Sequence, residues 1–199
     1  MKLPDPALFV PSHPTNMQVT PDWSYNNAAI ALLSPILVRS MGMPLEDFAR
    51  QELFSPLGIE SFVWERDVTG NPTTYDGLKL RTRDLAKLAW KMANGGQWRG
   101  NQLLPVGWVK DSTRFHTSVS KDWSIRPMSD NGYGYLWFTG TLKGTPVAWA
   151  WGRGAQFAMI VPSLKLAIVT AGSYMNILNI RELNAAVMKL VAQVEELAT

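Results

Sequence analysis

The strongest pattern of apolar and polar positions lies between Trp149 and Gly172, where short runs of bulky and β-branched residues are separated by Gly152-Arg153-Gly154 and by Pro162-Ser163. Residues of this kind favour a pleated, half-buried surface, and the punctuation leaves room only for tight connections. The pattern predicts a strand over 145–151, a second over 156–161 and a third over 164–170. Upstream, Gly132 to Phe138 reads as a further strand, with Thr139 to Gly144 as the turn that follows it. Connections this short place consecutive strands side by side, so the segment predicts an antiparallel meander of about four strands.

Helical periodicity flanks this sheet. Ile180, Leu183, Val187, Leu190, Val194 and Leu197 recur at steps of three and four, the stripe of a helix laid on a sheet. Asn179 with Glu182 forms a capping box before it, and Leu178 can staple against Leu183. Toward the other end, Asn26 or Asn27 can cap an apolar helix that carries Pro35 and stops at Gly42, and its composition predicts burial. Pro44 then opens an amphipathic helix with Leu45, Phe48, Ala49 and Leu53 on one face. Thr82 caps a third helix over 83–94, with Leu85, Leu88, Ala89 and Met92 as its stripe and Gly95-Gly96 as its stop. Residues 97–102 read as a turn around Gly100, and 103–109 as a short helical segment.

Between these elements, residues 1–24 carry five prolines and little periodicity, 60–80 read as a loop, and 112–131 form a long polar stretch. The chain therefore divides by element type into an irregular lead-in over 1–24, a helical portion over 25–131, and a sheet with its terminal helix over 132–199. The fold class is α+β. A few antiparallel strands cannot bury their own apolar faces, so helices or a further partner must cover them.

Composition narrows the chemistry. A hydrophobic fraction of 46% over 199 residues is that of a globular chain, and no run reaches the length of a membrane span. Nineteen basic against sixteen acidic residues leave a net charge of +3, scattered rather than clustered, which argues against a nucleic-acid surface. Without cysteine there is no thiolate catalysis, and His13 and His116 stand too far apart for a metal motif. No dinucleotide or phosphate loop is present, so no cofactor is expected. Nine tryptophans suggest aromatic walls around a cleft, among them Trp23, Trp64, Trp123, Trp137, Trp149 and Trp151, although core packing accounts for them equally.

Three polar features bear on function. Ser118-Val-Ser-Lys121 has the spacing of a serine and an activating lysine, but that pair needs a helix beneath it and the surrounding residues are poor helix formers, so the match reads as coincidence. Trp23-Ser-Tyr25-Asn-Asn27 precedes a helix, where a tyrosine can present its hydroxyl to a cleft and an asparagine can donate an amide hydrogen; capping and packing explain the same residues. Gly152-Arg153-Gly154-Ala155-Gln156 brings backbone close to a neighbour, or is an ordinary tight hairpin.

Taken in order, the Tyr25-Asn-Asn27 corner, Met43-Pro-Leu-Glu-Asp-Phe-Ala-Arg through Leu57-Gly-Ile59, Leu80-Arg-Thr-Arg-Asp-Leu-Ala-Lys-Leu88, Asn94-Gly-Gly through Leu103-Leu-Pro105, Tyr133-Gly-Tyr-Leu-Trp137 and Trp151-Gly-Arg-Gly-Ala-Gln156 resemble the C-terminal half of the serine beta-lactamase-like hydrolases. That group includes class C beta-lactamases, DD-peptidases, family VIII esterases and aminohexanoate-oligomer hydrolases. The resemblance covers nearly all of residues 20–197 and implies a beta-lactamase/transpeptidase-like fold. It also implies a reaction in which a serine on a Ser-x-x-Lys helix attacks an ester or amide carbonyl and the acyl-enzyme is then hydrolysed.

By that resemblance Tyr25 is the catalytic tyrosine that shares proton transfer with the lysine. Asn27 orients substrate or lysine, and Gly152, Arg153, Gly154 and Gln156 form the substrate-binding edge of the oxyanion strand. The corner carries Arg153 where the family keeps Lys-Thr-Gly or His-Thr-Gly, a pattern closer to the esterase and amidase branches. Only twenty-four residues precede Tyr25, so the Ser-x-x-Lys segment and the strands and helices that go with it are expected to be missing, leaving apolar surface exposed. The expected partner is then the missing half, or a second copy covering the sheet. A truncated noncatalytic homologue that self-associates, and an α+β domain without this chemistry, are the alternatives.

Overall fold

The computed structural model describes residues 23–172 and 180–198. They form two compact units divided between Arg81 and Thr82. This division follows contacts, whereas the sequence was divided by type of element.

In the first unit, α1 (Asn27–Ala31) and α2 (Leu33–Met41) replace the single helix predicted there, with the break at Leu32. Gly42 ends α2 at φ +67°, the left-handed cap that glycine adopts without penalty. The expectation of a buried helix is corrected: Ser34 is its only buried residue, held by Oγ donating to the Pro72 carbonyl at 2.7 Å, while Ile36 is 56% exposed and Leu37 36%. Apolar composition announced burial, but no described residue covers that face. Then α3 (Leu45–Ala49), with Pro44 as its N-cap, runs on into a π-turn over Arg50–Phe54. Leu45, Ala49, Phe54, Leu57 and Ile59 make this unit's core, and Phe54 packs on Phe62 and Trp64. Phe48, expected on the same face, is exposed. Residues 60–80 are more than a loop, since β1 (Phe62–Trp64) and β2 (Leu78–Leu80) pair antiparallel. Asp67 holds the turn between them, its Oδ1 accepting from the Thr69 and Asn71 amides and the Thr69 hydroxyl.

The second unit is the sheet and its helices, and it makes the fold α+β. After α4 (Thr82–Ala93), a small hairpin joins β3 (Gln97–Trp98) to β4 (Asn101–Gln102) through Arg99 and Gly100, both at positive φ. It is followed by α5 (Val106–Thr113), β5 (Thr117–Ser118), β6 (Ser129–Tyr133), β7 (Phe138–Leu142), β8 (Thr145–Gly152), β9 (Gln156–Val161), β10 (Leu166–Thr170) and α6 (Ile180–Ala198). Strands β5 to β10 form one antiparallel sheet in the order β10-β9-β8-β7-β6-β5, a meander in sequence order as expected. The predicted strand over Gly132–Phe138 is in fact the end of β6, a corner with Leu136 at φ +64°, and the first residue of β7. Thr139 to Leu142, expected to turn, belong to β7.

Alternation along the strands divides the apolar residues between two faces. On one, Ala148, Ala150, Ala158 and Ala167 are small, so α4 approaches closely and seats Ala89, Met92 and Ala93 against Ile160. On the other, Phe138, Trp149 and Met159 line up in register across β7, β8 and β9. Trp149 and Met159 are 0% exposed and Phe157 is 1% exposed, so the middle of the sheet is covered on both faces. The expectation of an uncovered sheet face is corrected accordingly; β10, at the end of the sheet, remains half-exposed along its length. In α6, Val187 of the predicted stripe is buried together with Asn184, Met188 and Val191, while the cap and staple at Leu178 and Asn179 lie outside the described residues. No single described helix is long and apolar enough to cross a membrane.

Candidate active site

The predicted site residues fall into two sets, one in each unit. In the first unit, Asn26 is the N-cap of α1, its side chain accepting from the Ala29 amide at 3.1 Å. That arrangement leaves the amide of Asn27, the first helical residue, outside the cap, and Asn27 is exposed. Tyr25 is 38% exposed, and its ring meets Trp23 edge-on at 6.2 Å. The helix start is anchored to the loop beneath it, because the Thr74 hydroxyl donates to the Ile30 carbonyl at 2.6 Å. Tyr25 and Asn27 thus stand two positions apart at a fixed helix entrance, neither consumed by capping.

In the second unit, β8 and β9 meet at the pair Gly152–Gln156, and Arg153, Gly154 and Ala155 make the turn. Gly154 at φ +88° and Ala155 at φ +57° are both left-handed, a strained choice for alanine that its surroundings must enforce. They do so from the end of β10. The Thr170 hydroxyl donates to the Ala155 carbonyl at 2.7 Å and accepts from the Phe157 amide at 3.2 Å. Gln156 Nε2 donates to the Gly172 carbonyl at 3.2 Å. Gly172 itself lies so close that a Cβ there would stand 2.0 Å from the Gly154 carbonyl oxygen. Gly172→Ala is therefore expected to destabilise the protein by about 1–3 kcal/mol, read as a lower urea midpoint; an unchanged midpoint would show that the corner yields freely. Of the predicted residues here, Arg153 is exposed at the tip, whereas Gln156 serves the corner itself.

Aromatic side chains continue from this corner along one face of the sheet. Phe157 stacks on Trp151 at 5.8 Å, and Trp151 meets Trp123 edge-on at 5.9 Å and Phe138 at 5.6 Å. Trp151 and Trp123 are half-buried and form an apolar wall beside the Gly-rich turn, while Trp149 is core. Trp64 is structural, its Nε1 donating to the Thr73 carbonyl. Trp137 packs against the core under α4. Ser118 lies in β5 and Lys121 begins a 3-10 turn, so the Ser-x-x-Lys spacing there has no helix under it.

Sequence reasoning missed the supports of the corner, Thr170 and Gly172, since nothing local distinguishes them from any strand end. It also missed Tyr75 and Asp76, whose acid forms are favoured by partial burial, with nearby Glu65 raising both pKa values further. Among the described residues no group of three or more His, Asp and Glu could hold a metal ion.

A family model described as Beta-lactamase matches residues 12–193. A structure provisionally named a 6-aminohexanoate-dimer hydrolase, from Bacillus anthracis, superposes with TM-score 0.73 and 22% identity over 88% of this chain and 45% of its own. A beta-lactamase from Mycobacterium bovis gives TM-score 0.59 and 15% identity over 86% of this chain and 65% of its own. A D-stereospecific amidohydrolase from Streptomyces sp. gives 0.55 and 16% over 75% and 50%. This chain therefore spans between 45% and 65% of the structures it matches here. No curated protein matches the sequence.

Proposed function

The chain belongs to the beta-lactamase family, and from that membership we propose that it supplies the proton-transfer and oxyanion-side part of a serine hydrolase cleaving an ester or amide through an acyl-enzyme. The nucleophile comes from a Ser-x-x-Lys segment outside the 199 residues. The observation that carries this reading is the corner at Gly152 to Gln156, clamped by Thr170 and Gly172 in a conformation that alanine tolerates poorly. Rigid backbone donors stabilise a developing oxyanion without reorganising, and such rigidity has little use in a surface hairpin.

In this mechanism the segment's serine attacks the carbonyl as its proton passes to the segment's neutral lysine, the Tyr25 oxygen relaying it by accepting the serine proton while giving its own to the lysine. Tyr25 returns a proton to the leaving alcohol or amine, and water then releases the acyl group. Asn27 orients the substrate or the lysine, Gly152 and Gly154 allow close approach of the carbonyl, and Arg153 stands at the rim. Trp151 and Trp123 give the acyl side an apolar wall, which favours apolar esters and amides. The names of the structural relatives, an aminohexanoate-dimer hydrolase and an amidohydrolase among them, agree with an amide-cleaving member.

Burst kinetics test the proposal. With a p-nitrophenyl ester, this chain joined to the nucleophile-bearing segment is expected to release about one equivalent of nitrophenol per site before steady turnover, and alone to show no burst. A burst from the chain alone would contradict it, as would joined chains that never acylate. The noncatalytic alternative draws on the exposed Ile36 and Leu37 of α2; it requires a stable dimer and no acylation in any combination.

A further inference from the structure

The helix at whose entrance Tyr25 and Asn27 stand, α1, has little of its own to hold it in place. Its 5 residues are fewer than a helix needs to persist alone in water, and none of them is buried. The Asn26 cap and the break at Leu32 shape its ends but set no direction. Two long-range hydrogen bonds do, both to the segment over 72–74. The Thr74 hydroxyl donates to the Ile30 carbonyl at 2.6 Å, and the Ser34 hydroxyl on α2 donates to the Pro72 carbonyl at 2.7 Å. Ile30 lies one helical turn beyond Asn27, and its amide donates to the Asn26 carbonyl at 3.3 Å. The grip of Thr74 therefore falls on the turn that follows Tyr25.

The segment that makes this grip is itself fastened at the end of β1. Thr73 is buried: its amide donates to the Glu65 carbonyl at 3.0 Å, its hydroxyl donates to the Asp76 carbonyl at 2.8 Å, and its carbonyl accepts from Trp64 Nε1 at 2.6 Å. The Glu65 amide in turn donates to the Gly77 carbonyl at 3.1 Å. Gly77, at φ +81°, packs so closely there that a Cβ would stand 2.7 Å from the Glu65 Cβ. Residues 72–77 thus form a strap with little freedom, held to Trp64 and Glu65 on one side and reaching α1 through Thr74 on the other.

We propose that Thr74 is a positioning residue for Tyr25, fixing α1 against the strap and with it the aim of the tyrosine hydroxyl, an inference that rests on the assignment of proton transfer to Tyr25. A reacting group displaced by about 1 Å can lose on the order of 10²-fold in rate, whereas one neutral hydrogen bond at a half-buried site adds little to folding. The Ile30 carbonyl also accepts from the Leu32 amide, so removing the Thr74 hydroxyl leaves no orphaned group. Loss of this hydroxyl is therefore felt in catalysis before it is felt in stability.

A double-mutant cycle with Thr74→Val, Tyr25→Phe and both together, in the chain joined to the nucleophile-bearing segment, tests this. Thr74→Val is expected to lower kcat about ten-fold or more with KM within about two-fold, and Thr74→Ser, which keeps the hydroxyl, to restore most of it. In the Tyr25→Phe background the same substitution should change kcat less than about two-fold, a coupling that a merely structural threonine would not give. On the chain alone, amide hydrogen exchange at Ala29 and Ile30 should quicken about ten-fold in Thr74→Val while Thr73 exchanges as before. Unchanged kcat in Thr74→Val where Tyr25→Phe does lose activity would overturn this inference and leave the catalytic reading standing. Unchanged kcat in Tyr25→Phe would remove both. Equal losses with and without Tyr25, no rescue by serine, or unaltered exchange at Ile30 would also overturn it.

Discussion

Tyr25→Phe is expected to reduce kcat of the completed hydrolase by about 10²–10⁴-fold while leaving the unfolding midpoint within about 0.5 kcal/mol of the parent. The two halves of that expectation have separate causes. Tyr25 is 38% exposed and touches Trp23 by the edge of its ring, so losing one oxygen costs the fold little. The same oxygen is the group assigned to carry a proton between the serine and the leaving atom, and phenylalanine carries none. KM should change much less than kcat, because proton transfer belongs to the transition state rather than to ground-state binding. Steady-state kinetics with an ester and an amide decide the matter. Unchanged kcat would remove Tyr25 from the mechanism, and a loss confined to KM would make it a binding residue.

Lys91→Met is expected to stabilise the protein at pH 7 by on the order of 2–3 kcal/mol. Lys91 lies on α4, 3% exposed, with no ion-pair partner among the described residues, and burial lowers its pKa from 10.5 to about 8. Asp84, one face of the same helix, is already held by Lys87 at 2.7 Å. Because the folded pKa lies below the unfolded one, the unfolded chain binds more protons between about pH 8 and 10.5, so native stability rises with pH across that window and the penalty is present in full below it. Methionine has a similar stem and no charge to desolvate. Urea unfolding of both proteins should show the gap shrinking to less than about 1 kcal/mol by pH 10. A lysine that instead stabilises the protein at pH 7 would mean that its ammonium has found a partner.

The sheet was the most legible part of the chain, because Pro162-Ser163 and Gly152-Arg153-Gly154 leave too little chain for anything but hairpins, and the observed strand order follows directly. Where the pattern misled, a backbone event outweighed it. Gly132 to Phe138 alternates like one strand, yet Leu136 at φ +64° turns the chain and divides it between two. The apolar helix at Ala28 to Met41 reads as buried because periodicity reports what a helix could cover, not whether anything covers it, and Ile36 and Leu37 are exposed. Residues 60–80 lacked a visible period because β1 and β2 are three residues each, too short to show one. For the proposed site, the order of motifs along the chain pointed to Tyr25, Asn27 and the Gly152 corner, and of these the tight turn at Gly152 is what the structure displays. Thr170 and Gly172 were not legible, since a close backbone approach across two strands leaves no local mark in sequence.

The central claim, that this chain works with a nucleophile it does not itself carry, is tested most directly by the intact mass of every polypeptide in the purified sample before and after a fluorophosphonate that acylates activated serines. The account predicts a single adduct on a second polypeptide bearing a Ser-x-x-Lys segment, and no mass change on these 199 residues. An adduct on this chain, or no labelled polypeptide alongside it, would contradict the account.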